Sequence, residues 1–189
     1  MYGVIYLPSF YLQAQLCSRV ELKEQPVVLL EEAGKSDKDR GKAKILQGTA
    51  EALEHSVEIG MTATQGQARC AGLQLLYRCS HAESDARELL LSAAEGWTPD
   101  FEATAAGVCT LDLLGNSEAA KQPERLGRKI VRWFSKHHLR AQVGFASHPD
   151  VALLVAKQAS PVSAVINDSE AVTQFLNQLP ISALELSVD

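Results

Sequence analysis

Few side chains of this sequence combine the type and the spacing that metal-dependent chemistry requires. Hard cations such as Mg²⁺ take oxygen ligands, with carboxylates supplying most of the charge. The one acidic pair at a predicted strand edge, Glu31-Glu32, leads into a polar segment, and Glu102 is isolated. The pair His137-His138 has no carboxylate or cysteine four residues further on. The residue pattern by itself therefore predicts no metal site.

The four cysteines are typical of a reducing compartment. Cys17, Cys70, Cys79 and Cys109 contain no C-x-x-C pair, and they suit neither a zinc site nor a disulfide framework in a chain of 189 residues. We expect four buried, reduced thiols. The N-terminus lacks the regions of a signal peptide, and no apolar run of about 18 residues indicates a membrane span. We therefore expect a cytoplasmic protein with no membrane partner.

The formal net charge of −5 argues against a protein that coats duplex DNA, because phosphate binding needs clustered Lys and Arg. One local basic patch is predicted on the helix near residues 123–138, opposite its apolar face. Its members are Arg125, Arg128, Lys129, Arg132, Lys136 and Arg140. A contact with DNA or an acidic partner is one interpretation. A solvated outer face is the other, and it is the one that we favour.

The spacing of apolar residues predicts the strands and helices that must position any site. Predicted strands cover 3–7, 26–30, 73–77, 101–104, 108–113, 141–146 and 162–166. Predicted helices cover 10–20, 49–55, 64–71, 84–97, 123–138, 149–159 and 169–178. The charged segment 31–44 is predicted to be a loop. This order predicts an α/β sandwich with helices against one sheet and a small helical subdomain.

An ordered set of segments resembles the palm and fingers of the Y-family (DinB/UmuC-like) DNA polymerases. The matching segments are Val4–Tyr11, Gln47–Thr62, Ala68–Tyr77, Phe101-Glu102 with Thr110–Asp112, Val143–Ala146, Ala156–Ser160 and Phe175–Ile181. The resemblance implies an α/β (α+β) fold. Its ferredoxin-like palm sheet would carry helices on one face, beside a small, mainly helical fingers subdomain. The implied palm covers 1–10 and 78–168, the fingers 11–77, and the start of a thumb connection 169–189. The family's thumb and C-terminal domain would be absent.

The resemblance also implies that the metal ligands of the family are missing. Family members end the first palm strand in Asp-x-Asp and carry Asp-Glu on the second, and these residues hold two divalent metals. Tyr6 and Pro8 stand in the first motif, and Gly107 and Val108 in the second. One acidic residue, Asp112, remains, and we expect it one strand residue beyond the pocket in which the family binds its metals. A single carboxylate cannot hold two metals. We therefore expect no catalytic residue, no metal ligand and no cofactor. Mg²⁺ is expected only if the protein is an active polymerase.

The triphosphate contacts of the family are replaced as well. Ala50 and Leu53 stand where the fingers helix of the family presents a Tyr and an Arg to the phosphates. Tyr11 corresponds to the steric gate against a ribose 2′-hydroxyl. The phosphate-binding Lys of the family falls at Lys157 or, in an ungapped count, at Leu153. The resemblance thus makes Tyr11 and Lys157 the candidate remnants of a nucleotide site, with the choice between Lys157 and Leu153 left open.

Within the family, these replacements resemble the non-catalytic ImuB type found in bacterial SOS mutagenesis. The resemblance implies an adaptor in DNA repair and translesion synthesis that contacts other mutagenesis proteins, an error-prone polymerase and the sliding clamp. Weak DNA binding is compatible with that role. Two alternatives stay open. One is an active DNA polymerase or nucleotidyltransferase with relocated metal ligands, and the other is a DNA- or nucleotide-binding module without partners.

Overall fold

The computed structural model describes residues 1–31, 41–164 and 169–180, which divide into two compact units. The first unit comprises Met1–Pro8 with Leu89–Asp189, and the second comprises Ser9–Glu88. The second unit contains the whole of the predicted fingers segment, 11–77. No helix among the described residues is long and apolar enough to cross a bilayer.

The described residues form strands and helices in a mixed order. The strands are β1 (Tyr2–Tyr6), β2 (Val27–Leu30), β3 (Ile45–Gly48), β4 (Gln74–Tyr77), β5 (Phe101–Ala105), β6 (Val108–Asp112), β7 (Gln142–Ala146) and β8 (Val162–Ala164). The helices are α1 (Phe10–Cys17), α2 (Ala50–Glu54), α3 (Ala63–Arg69), α4 (Ser80–Glu95), α5 (Ser117–Lys121), α6 (Pro123–Lys136), α7 (Pro149–Gln158) and α8 (Ser169–Gln178).

The first unit is built on a five-stranded sheet in the order β5-β6-β1-β7-β8. The central strand, β1, is antiparallel to both β6 and β7, and β7 is parallel to β8. Val4 and Ile5 in the middle of β1 are fully buried on the two faces of the sheet. Because β1 is covered on both sides, its apolar run lacks the alternation of a half-exposed strand.

Two glycines show which face of this sheet each helix covers. A Cβ atom on Gly144 of β7 would lie 2.2 Å from the backbone nitrogen of Ala156 in α7. Gly127 of α6 lies instead against Phe145 and Val162. Successive residues of a strand point to opposite faces, so α6 and α7 lie on opposite faces of the sheet. The prediction of helices on one face is wrong in this detail.

The cause lies in the handedness of the connections. Strands β6, β7 and β8 point in the same direction and follow one another across the sheet, with β1 between β6 and β7. Helix α6 lies in the connection from β6 to β7, and α7 lies in the connection from β7 to β8. Two right-handed crossovers in the same direction would place both helices on one face. The observed connections are therefore of opposite hand, which a rule based on the usual right-handed crossover does not anticipate.

The second unit has its own sheet in the order β3-β2-β4. All four residues of β2 are buried, and β2 is antiparallel to β3 and parallel to β4. Helix α2 begins at Thr49, whose Oγ1 accepts from the N–H of Val27 at 3.1 Å and donates to the carbonyl of Gln25 at 3.0 Å. These bonds fix the start of α2 against the start of β2.

Local differences from the predicted elements have local causes. The predicted helix 10–20 ends at Cys17, and Val20 lies in a short 3₁₀ turn with half of its side chain exposed. Helix α5 was not predicted; the Asn116 side chain begins it by accepting from the N–H groups of Glu118 and Ala119. The four thiols are free, but the prediction that all are buried is wrong, since Cys79 is exposed and Cys17 half-buried.

Candidate functional site at the end of the central strand

The pairing of β1 with β6 brings together the positions predicted to have lost their metal ligands. Tyr6 is the cross-strand partner of Val108. The N–H of Leu7 donates to the carbonyl of Gly107 at 2.8 Å, and Pro8 follows directly. Gly107 has φ of 72°, the left-handed conformation that a residue without Cβ adopts most readily. The four residues therefore lie at one end of the sheet, around the turn between β5 and β6.

Helix α7 adds a positive charge to this end of the sheet. The Nζ atom of Lys157 lies 6.0 Å from the centre of the Tyr6 ring, within reach of a cation–π contact. Leu153 packs one helical turn earlier on the same face, in an apolar cluster that includes Tyr6 and Val108. Both candidates for the lysine position thus lie beside Tyr6, and Lys157 is the one that brings a charge.

The residues around Tyr6 do not fit a pair of magnesium ions. Tyr6, Gly107 and Val108 contribute a phenol ring, a bare backbone and an isopropyl group, and none of these supplies a carboxylate oxygen. In the described part of the chain, no group of three or more His, Cys, Asp or Glu side chains is arranged to hold a metal ion.

Asp112 lies at the other end of β1 and cannot contribute to this site. It pairs with Tyr2, four strand residues from Val108, which is about 13 Å along the strand. Its Oδ1 accepts from the N–H of Leu114 at 2.9 Å, so the carboxylate shapes the turn after β6. The prediction that Asp112 lies one residue beyond the pocket is wrong, because β6 runs away from the Tyr6 end.

Two further acidic candidates, Glu102 and Glu31, belong to different units. Glu102 is exposed on the edge strand β5, opposite Thr110. Glu31 follows β2 in the second unit, and its neighbour Glu32 falls outside the described residues.

The predicted triphosphate positions lie on α2 in the second unit. Ala50 and Leu53 are both exposed there, Leu53 to 48%. Neither side chain carries a charge or a hydrogen-bonding group for a phosphate.

Sequence reasoning missed a cluster around Tyr11 in the second unit. The guanidinium carbon of Arg78 lies 3.9 Å from the centre of the Tyr11 ring. Its Nε and Nη2 atoms donate to the two carboxylate oxygens of Glu83 at 2.8 and 2.6 Å, and this bond raises the pKa of Arg78 above its usual range. Arg78 is 67 positions from Tyr11, so no local pattern could have linked them.

The predicted basic patch exists as an exposed row of α6, but part of its charge is paired. Glu118 accepts from Lys129 at 2.7 and 2.8 Å and lies 3.8 Å from Arg125, while Glu124 lies 3.4 Å from Arg128. His137 ends the helix stacked on Trp133, with ring centres 4.0 Å apart. The patch is therefore a mixed surface on which basic groups are in excess.

The chain belongs to the impB/mucB/samB family, which it matches over residues 5–157. Its structure is similar to a Y-family polymerase chimera, Dbh-Dpo4(243-245)-Dbh, with a TM-score of 0.79 and 18% identity, and to an insertion ternary complex of Dbh DNA polymerase with the same values. It is also similar to DinB from Sulfolobus solfataricus, with a TM-score of 0.78 and 18% identity. No curated protein sequence matches the chain.

These likenesses establish the fold. Each comparison covers 97% of this chain and 53% of the other, so the chain spans about half the length of the polymerases it resembles. The two units match the palm and fingers of Y-family polymerases, which confirms the predicted family and fold class.

Proposed function

We propose that this protein is a non-catalytic relative of Y-family polymerases that acts as an adaptor in DNA repair and translesion synthesis. The observation that carries the proposal is the Tyr6–Val108 pair with Lys157 beside it, at the end of β1. Two-metal phosphoryl transfer needs carboxylates that converge on both cations. An aromatic ring, an aliphatic side chain and an ammonium group supply none of these oxygens.

The second unit supports the same proposal independently. Ala50 and Leu53 offer no group that binds a triphosphate, and both are exposed. Both units contain buried apolar clusters, which supports the proposal of a fold kept without the groups that polymerisation requires. A retained fold with an altered site is suited to contacts with other proteins. As the resemblance implies, we expect these to be other mutagenesis proteins, an error-prone polymerase and the sliding clamp in the cytoplasm.

Templated primer extension tests the non-catalytic half of the proposal. It is run with Mg²⁺ and with Mn²⁺ on the 189-residue chain and on any longer gene product that contains it, with Sulfolobus solfataricus DinB as positive control. We expect no incorporation above a blank without protein, because the described residues place no carboxylate pair beside Tyr6. Templated incorporation that survives repurification would contradict the proposal and favour relocated metal ligands.

A further inference from the structure

A half-open cleft lies in the first unit between the end of β1 and helix α6. Its volume is about 320 Å³, and most of its wall is apolar, from Pro8, Val131, Leu139 and Pro161. Ser135, Arg140, Gln142 and Ser160 contribute the polar part of the lining. Its wall includes α6, which packs on the sheet face opposite α7 and Lys157. The cleft therefore lies next to the Tyr6 site, but helix α7, which lies beside Tyr6, does not line the cleft.

Basic side chains follow the edge of this cleft. Arg128 lies three positions before the lining residue Val131, and Arg132 lies three positions before the lining residue Ser135. Residues three apart are neighbours on the surface of a helix, so each arginine lies beside a lining residue of α6. Arg128, Arg132 and the lining residue Arg140 are all exposed. Within the described residues, Arg132 has no ion pair, and Arg128 pairs with the equally exposed Glu124. An exposed pair of that kind contributes little and exchanges readily for another partner.

We propose that this cleft and its basic edge, together the anchor cleft, bind an acidic peptide segment of a partner protein that inserts one apolar side chain. The volume lies at the lower end of the range for ligand pockets, about 300–1,000 Å³, which suits a single anchoring side chain. The apolar part of the wall, from Pro8, Val131, Leu139 and Pro161, favours an apolar group. The basic edge complements carboxylates on either side of the anchor.

Charge complementarity alone would also admit a nucleic acid, but the lining favours a peptide. Single-stranded nucleic acids are bound by aromatic side chains on which bases stack, and the residues that line the cleft include no aromatic side chain. The chain as a whole carries a net charge of −5, so the basic edge is a local feature in an acidic protein. Affinity for a phosphate backbone rests on the number of phosphates that Lys and Arg neutralise, and this edge offers few cations.

The anchor cleft goes beyond the proposed adaptor role, because peptide binding there does not depend on whether the protein polymerises DNA. Primer extension and peptide binding can thus fail separately. A negative peptide result would leave the altered Tyr6 site untouched, and an active polymerase could still carry this cleft.

Fluorescence anisotropy on the 189-residue chain tests the inference. The probe is a labelled peptide of alternating Glu and Asp with one central Phe, and the matched probe replaces that Phe with Ser. The variants are Arg132→Glu, which reverses charge at the edge, and Ser135→Trp, which fills the cleft without changing charge. Arg87→Glu is the control, since Arg87 is equally exposed on α4 in the second unit. Circular dichroism verifies that each variant is folded.

We expect the Phe peptide to bind at least about tenfold more tightly than the Ser peptide. Arg132→Glu and Ser135→Trp should each weaken the Phe peptide by about tenfold or more, and Arg87→Glu by less than about twofold. Equal binding of the two peptides, or unchanged binding by Ser135→Trp, would overturn the inference. Tighter binding of a single-stranded oligonucleotide that displaces the peptide would do so as well.

Discussion

Tyr6 and Val108 are direct cross-strand partners, so their side chains project from the same face of the sheet. Partners of this kind have Cβ atoms about 4.5–5.5 Å apart. Two carboxylates at these positions would converge on a common cation, whereas the ring and the isopropyl group make an apolar contact. The same strand pairing could thus support a metal site or an apolar cluster. The identity of the two side chains decides which of these forms, and here it is the apolar cluster.

The cysteines give a prediction at the residue scale. Burial raises the pKa of the Cys109 thiol to about 11, while Cys79 is exposed. The thiolate is the reactive form, so a raised pKa leaves Cys109 protonated where an ordinary thiol already ionises. We expect iodoacetamide at about pH 8 to label Cys79 first and to leave Cys109 unlabelled until urea unfolds the chain.

Peptide mapping by mass spectrometry measures this order of labelling. Labelling of the folded chain at Cys109 as fast as at Cys79 would contradict the buried position of Cys109 in β6. A Cys79→Ser variant is the matched control, because it should remove the fast phase and leave the slow one.

Among the elements, the contact between α7 and the central strands positions Lys157. Helix α7 packs on β7 at Gly144 and covers Val4 and Val108 of β1 and β6. The approach is so close that a Cβ atom at Gly144 would meet backbone atoms of both Ala152 and Ala156, at 2.4 and 2.2 Å. Backbone atoms cannot move aside as a side-chain end can, so glycine is required at this position.

A Gly144→Ala substitution should therefore destabilise the protein by about 2 kcal/mol or more, because α7 must shift away from the sheet. Gly72→Ala is the matched control, since no atom lies within 4 Å of the added Cβ there; its effect should stay within about 0.5 kcal/mol. Urea unfolding of both variants measures the difference. Equal stabilities would show that α7 does not pack on β7 at this distance.

The accuracy of the sequence-based prediction also varies with the element. Helix α7, predicted at 149–159, is observed at Pro149–Gln158, because Pro and Asp mark its first turn. The five-residue α5 was missed, because its signal is a single Asn before a short segment. The faces covered by α6 and α7 could not be predicted, since they depend on the hand of each crossover.

The candidate site was predictable in part for similar reasons. The resemblance singled out Tyr6, Gly107 and Val108, and the strand pairing places them together. The position of Asp112 was wrong because it depends on the direction of β6. The contact of Arg78 with Tyr11 needs the tertiary fold of the second unit.

For the whole molecule, the distribution of charge decides which partners are favoured. The net charge of −5 opposes a phosphate backbone, and part of the basic charge on α6 is paired with Glu118 and Glu124. Nonspecific DNA binding depends on the release of counterions by many Lys and Arg side chains. The chain has such groups in excess on one helix, which suits a short acidic segment better than a duplex.

We therefore expect the chain to bind a duplex of about 20 base pairs with a dissociation constant weaker than about 100 µM at physiological salt. Anisotropy of a labelled duplex measures it, with Arg132→Glu as the matched variant. Submicromolar binding with a steep salt dependence would contradict this prediction and make DNA a principal partner.

The central claim is that the end of β1 no longer holds divalent metal, and Mn²⁺ titration followed by nuclear magnetic resonance tests it most directly. Mn²⁺ broadens the amide signals of nearby residues, so the measurement locates binding within the 189-residue chain itself. The account predicts that the signals of Tyr6, Leu7 and Val108 stay sharp at Mn²⁺ concentrations up to about 1 mM, with or without a nucleoside triphosphate, because no convergent carboxylates occur there in the part of the chain that the structure describes. Selective, saturable broadening of these three signals at micromolar Mn²⁺ would contradict it.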